Sequence, residues 1–108
     1  MKFLVWVKPS ATITPQPEQM ASLTRAFSDT LREQLNSHKL DCAYTCGQGE
    51  GFGIMDAPTL EEAWERTYQN PMAMFWEIDI QALADPIAVA GAQLRLIESS
   101  QRAAAGVR

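Results

Sequence analysis

Residues 51–82, GFGIMDAPTLEEAWERTYQNPMAMFWEIDIQA, leave the rest of the chain little choice of architecture. Residues 52–56 form a short apolar run that suits a strand. Pro58 and Thr59 stop it and open a helix, with Thr59 as N-cap and Glu62 placed to close a capping box. Leu60, Ala63, Trp64, Thr67 and Tyr68 then recur at helical spacing, and Glu61, Glu62, Glu65 and Arg66 fall between them. One stripe therefore faces a core and the other faces water. Asn70-Pro71 ends this helix, because proline has no N–H and disfavours helical angles in the residue before it. Over 75–81, Trp76, Ile78 and Ile80 alternate with Glu77 and Asp79, the pattern of a half-buried strand. The unit is strand, helix, strand.

The upstream half predicts a matching unit. Residues 2–8 are apolar on both parities (Phe3, Val5, Val7 and Leu4, Trp6), which suits a central strand. A loop follows, then Pro15 and Pro17 at the opening turn of a helix, where proline is tolerated. Met20, Leu23, Phe27, Leu31 and Leu35 step by three or four and give that helix its apolar stripe. Ser37-His38 is the exit. Leu40, Cys42 and Tyr44 alternate with Asp41, Ala43 and Thr45 as a second strand, and the glycine-rich run 47–51 turns the chain into the third. A phosphate-holding glycine loop would lead from strand to helix; here strand leads to strand, so the run reads as a hairpin. Gly49, Gly51 and Gly53 share one parity, which leaves part of the third strand's face bare. Such a face lets a bulky neighbour approach. Trp6 is the expected occupant, with a bound ligand as the alternative. After the fourth strand, Asp85 and Pro86 open a last helix whose stripe, Ile87, Ala90, Leu94 and Ile97, must dock on something.

The order βαββαβ plus a C-terminal helix predicts an α+β fold: a ferredoxin-like four-stranded antiparallel sheet with two helices on one face. Residues 1–100 are expected to form this single domain, and 101–108 a frayed tail. Leu4 and Trp6 would then lie on the uncovered face, and an apolar face of that size favours a homodimer of two sheets packed together.

Composition removes several function classes. The net charge is −4 and the nine Lys and Arg are scattered, so no basic face for nucleic acid is expected. The N-terminal apolar run of five residues is too short for a signal-peptide core or a membrane span, which makes a cytoplasmic location the default. Cys42 and Cys46, four residues apart on a strand, would be roughly 13 Å apart, well beyond the reach of a disulfide or a shared metal. They are expected to be free thiols. With one histidine in the chain, no metal site is expected either.

From Gly47 to Pro86 the residues resemble the muconolactone isomerase family of the dimeric α+β barrels. A glycine ends the second strand, Asp56 ends the third, and a Leu-Glu-Glu-Ala helix follows. A Pro-Met-Ala-Met-Phe turn, an aromatic-acid-Ile-Asp-Ile strand and Leu83-Ala84-Asp85-Pro86 complete the likeness. The resemblance implies a homodimeric barrel, with a higher homo-oligomer as the alternative. Members of the wider group isomerise lactones, cyclise polyketides, oxygenate without metals or degrade haem. A cofactor-free isomerase or cyclase that moves protons on a lactone-like or polyketide-like ring is the expectation drawn from it. A cofactor-free monooxygenase, or a non-catalytic barrel holding a hydrophobic ligand, are the alternatives. The second strand, Lys39 to Cys46, has neither the arginine nor the histidine that the family's strand carries.

Four residues could move a proton. His38 is the only histidine, the side chain that titrates near neutral pH; Glu77 and Asp79 share a strand face roughly 6.5 Å apart; and Tyr44 carries a phenol. We expect His38, Tyr44 and Glu77 to be the catalytic candidates. Trp76, Tyr68, Met72 and Phe27 are expected to line an apolar pocket between sheet and helices for a small cyclic ligand, with Tyr44 on its wall and His38 at its edge.

Overall fold

The computed structural model describes residues 1–106. Four strands, β1 (Lys2–Pro9), β2 (Leu40–Cys46), β3 (Glu50–Asp56) and β4 (Trp76–Ala82), form one antiparallel sheet in the order β2-β3-β1-β4. Helices α1 (Met20–Asn36) and α2 (Leu60–Tyr68) cross between the strand pairs, and α3 (Pro86–Gly106) follows β4. This is the ferredoxin-like arrangement expected from the element order, with β1 central and β2 at an edge.

The two faces of the sheet divide by strand parity. Phe3 pairs with Met55 and Ala82, Val5 with Gly53 and Ile80, and Val7 with Gly51 and Ile78. Phe3, Val5, Met55 and Ile80 are buried beneath the helices with Leu40, Ala57 and Ala63, and this is the core. The opposite face carries Leu4 beside Ile54, and Trp6 beside Phe52 and Asp79. Trp6 and Phe52 stack nearly parallel at 6.2 Å, and Tyr44 leans on Phe52 at 5.6 Å. The glycines of β3 therefore face the helices, and Trp6 lies on the other side of the sheet from the gap it was expected to fill.

Local signals account for the helix ends. The Thr59 hydroxyl accepts from the Glu62 N–H at 3.1 Å, and α2 stops before Pro71. Asp85 accepts from the Ile87 N–H at 2.9 Å. In the hairpin, Gly47 and Gly49 have φ of 57° and 87°, a region glycine enters without penalty. His38 also has a positive φ, 62°, directly after α1, where the chain must turn into β2. On α1 the stripe runs through Phe27, Leu31 and the buried Gln34, leaving Leu35 exposed. Periodicity alone pointed to Leu35, because it favours the apolar residue of two adjacent positions.

α3 differs most from expectation. It continues through Gly106, so helix extends past residue 100 into the segment expected to fray; the last two residues of that segment, 107 and 108, lie outside those described. None of its residues is buried, and Ile87, Leu94, Leu96 and Ile97 are all more than half exposed. The radius of gyration is 20.0 Å, against about 13 Å for a compact chain of this length. A 21-residue helix leaving the body accounts for that and for the 75 Å long axis. Its apolar stripe has no partner among the described residues.

Candidate functional site

The site begins with a missing pair of side chains. Gly51 and Gly53 lie between Val5, Val7, Ala43 and Thr45 on the helix side of the sheet. A Cβ on Gly53 would lie 3.0 Å from the Cys42 carbonyl oxygen and 3.3 Å from Leu40 Cδ2; one on Gly51 would lie 3.2 Å from the Tyr44 oxygen. The strand is thus packed tightly sideways but bare toward the helices. Above it lies a cavity of about 360 Å³, toward the small end of the range for small-molecule sites.

Walls and roof come from separate elements. Phe27 of α1 meets Trp76 of β4 edge-to-face at 5.7 Å, and Met72 closes in from the turn before β4. The roof carries Gln34 from α1, Thr67 from α2 and Asn70 just after it. These are the three buried polar residues of the described chain, and all three border the cavity. The Gln34 amide donates to the Arg66 carbonyl at 3.3 Å, which ties α1 to α2. The Thr67 hydroxyl donates to the Ala63 carbonyl at 2.8 Å. Asn70 Oδ1 accepts from the Met72 N–H at 2.9 Å and so shapes the turn that carries Met72. Exposed Thr24, Thr45 and Gly49 mark the opening, with half-buried Glu50 beside them.

The expected site residues separate into two groups. Trp76, Met72 and Phe27 line the cavity together. Tyr44 borders it by its main chain, while strand parity turns its ring to the open face against Phe52; the residue is 63% exposed. Glu77 is on that same open face, paired with Lys8 at 3.2 Å, and Asp79 beside it accepts from Gln81. Tyr68 stands outside, 62% exposed, its ring 5.7 Å from that of Trp64. His38 is exposed in the turn after α1 and is not part of the lining. The geometry brings together Phe27, Met72 and Trp76 and leaves out Tyr68, His38, Glu77 and the Tyr44 phenol. Gln34 and Asn70 escaped sequence reasoning, although a glutamine at a core position of an amphipathic stripe is a readable signal.

Among the described residues, the most pronounced charge cluster is elsewhere. At one corner of the sheet, Lys2 reaches Asp41 at 2.8 Å and Asp56 at 3.4 Å, and the N-terminal ammonium also meets Asp56 at 3.4 Å. Asp41 is the extra residue where β2 shifts register against β3. The hydrogen bond from Lys2 holds the Asp56 carboxyl below the ordinary aspartate value, and that to Asp41 raises Lys2 above the ordinary lysine value. Among the described residues no group of three or more His, Cys, Asp or Glu is placed to hold a metal ion, and both cysteines are free. No described helix is long and apolar enough to cross a membrane.

The sheet order, the helix-covered glycine strand and the crossing helices can be set against solved structures. A crystal structure of muconolactone isomerase superposes with a TM-score of 0.69, over 80% of this chain and 92% of that one. This chain has the muconolactone isomerase fold. The 5-chloro-2-hydroxyhydroquinone dehydrochlorinase of Burkholderia phenoliruptrix AC1100, solved with 2,5-dihydroxybenzoquinone, superposes with a TM-score of 0.56, over 82% of this chain and 98% of that one. Sequence identity is 16% in both cases, so the likeness is one of fold. No family model and no curated protein matches the sequence.

Proposed function

We propose that this chain is a small-molecule enzyme of isomerase or cyclase type, moving protons on a lactone-like or polyketide-like ring held between sheet and helices. One observation carries the reading: an apolar cavity with a glycine floor and a hydrogen-bonding roof, built on a fold shared with two enzymes. A flat ring fits over the bare strand, between Phe27 and Trp76. The Asn70 amide can donate to a ring carbonyl and so stabilise the enolate that forms when a neighbouring C–H ionises. Glu50 shares the strand parity of Phe52 and points to the open face, so the proton passes to water at the opening between Thr24 and Thr45. The reaction would be visible as deuterium uptake from D2O into substrate carbons, followed by NMR across a panel of lactones and cyclic diketones. Asn70→Asp, which keeps the oxygen bonded to the Met72 N–H and removes the NH2 donor, should suppress uptake. Absence of any uptake across the panel would sink the catalytic reading.

The exposure of His38, Tyr44 and Glu77 favours a second reading, in which the same cavity binds a hydrophobic ring without turnover. Thermal stabilisation by compounds that show no exchange would support it, since ligand binding raises native-state stability by mass action alone.

Under either reading we propose a homodimer formed through the open sheet face. Leu4, Trp6, Phe52 and Ile54 make a continuous apolar strip there, only half-buried within one chain. Sedimentation at micromolar concentration should show a dimer or a higher assembly. Trp6→Asp should yield monomers, because it would bury an unpaired charge in the interface. A monomeric wild-type chain would overturn the arrangement.

A further inference from the structure

We propose that the cavity selects an uncharged ring bearing a carbonyl or hydroxyl oxygen and discriminates against carboxylates. This deepens the reading above and rests on its cavity. Two features carry it, the unused hydrogen-bonding capacity of the roof and the charge of the lining.

The roof is only partly spent on the protein itself. Asn70 uses Oδ1 on the Met72 N–H, which leaves its NH2 group. Gln34 uses its NH2 group on the Arg66 carbonyl, which leaves Oε1. Thr67 donates its hydroxyl hydrogen to Ala63 and keeps its lone pairs. Gln34 is 4% exposed and Asn70 6%. Among the described residues, no buried side-chain nitrogen or oxygen is both sealed and without a partner. The spare atoms therefore retain accessible surface, and the space these residues border is the cavity. One amide donor and two acceptors suit a neutral partner that both accepts and donates, such as a ring carbonyl next to a hydroxyl.

The lining offers an anion no cation. None of the described lining residues is Lys, Arg or His. Along the described lining only Glu50 and Tyr44 are ionisable residue types, and strand parity turns both side chains to the open face. A carboxylate entering here would lose its hydration and gain no cation in return. An uncharged ring loses little water and satisfies the roof.

Four probes separate the parts of the proposal: coumarin, the methyl ester of coumarin-3-carboxylic acid, the free coumarin-3-carboxylate, and 1,2-dihydronaphthalene. Binding to the purified chain at pH 7 is followed by calorimetry or by tryptophan fluorescence. Coumarin and the ester should bind alike, and the carboxylate more weakly by roughly a hundredfold or more. Dihydronaphthalene, which lacks the ring oxygens, should bind weaker than coumarin by about tenfold or more. Thr45→Arg, which sets a cation at the exposed rim, should narrow the carboxylate's deficit by about tenfold. Carboxylate binding as tight as the ester's, or a deficit unmoved by the rim arginine, would overturn the charge selection and leave the cavity reading standing. Equal binding of coumarin and dihydronaphthalene would refute the role of the roof. If none of the four binds, the cavity reading fails, and this inference with it.

Discussion

Adding one methyl group at Gly53 or at Gly51 tests whether the bare strand is a packing necessity or a ligand floor. Neither glycine has the positive φ that would demand glycine for conformation, so an alanine acts through contacts alone. At Gly53 the new Cβ would sit 3.0 Å from the Cys42 carbonyl oxygen and 3.3 Å from Leu40 Cδ2. Comfortable carbon contacts begin at about 3.5 Å, and the carbonyl belongs to a neighbouring hydrogen-bonded strand that yields little. Overpacking of this kind costs roughly 1–3 kcal/mol. Restricting the unfolded chain returns about 0.4–1 kcal/mol. Gly53→Ala should therefore destabilise by about 1–2 kcal/mol, a fall in Tm of roughly 5–12 °C for a domain of this size. At Gly51 the single tight contact is 3.2 Å, and the next, to Val7 Cγ2, is a comfortable 3.7 Å. Strain and entropy there nearly cancel, so Gly51→Ala should melt within about 3 °C of wild type. Its methyl nevertheless rises into the cavity floor and should weaken binding of any flat ring. Thermal melts by circular dichroism, paired with ligand titrations, read both effects. A Gly53→Ala protein as stable as wild type, or a Gly51→Ala protein that melts lower than the Gly53→Ala protein, would refute the packing argument.

Other perturbations follow from single contacts. Trp64 is half-buried against the core edge and shares its exposed side with Tyr68; Trp64→Ala should cost about 2 kcal/mol, below the 3–5 typical of a fully buried tryptophan, as read by urea unfolding. His38→Gly relieves a left-handed residue after α1 and should raise stability by up to about 1 kcal/mol; a substantial loss of ligand binding in that variant would show that the imidazole contributes to the site. Asp56 is held below the ordinary aspartate value by Lys2. Its ion pairs therefore stabilise the fold above that value and fade as pH falls through the lowered one. Asp56→Asn should melt below wild type at pH 7, and the gap should close on acidification; a gap independent of pH would show that the carboxylate's charge is not the cause.

Sequence patterns determined the elements and their order because each rests on near neighbours. The Thr59 cap, the Pro71 stop, the alternation in β4 and the hairpin glycines all act within a few residues. With connection rules added, they were enough for the ferredoxin-like sheet. Which face of β3 the glycines bare was decided by tertiary pairing. Parity says only that Gly51 and Gly53 share a side, and pairing with Val5 and Val7 says that side is the helices'. The same pairing sent Tyr44 and Glu77 to the open face and kept Trp76 in the cavity. His38 shows the limit most plainly: its place in the sequence, between α1 and β2, put it near the site, while the direction of one turn put its side chain in solvent. Gln34 and Asn70 became site residues only when α1 and α2 met across the Gln34–Arg66 hydrogen bond, a contact spanning 32 positions that no local pattern encodes.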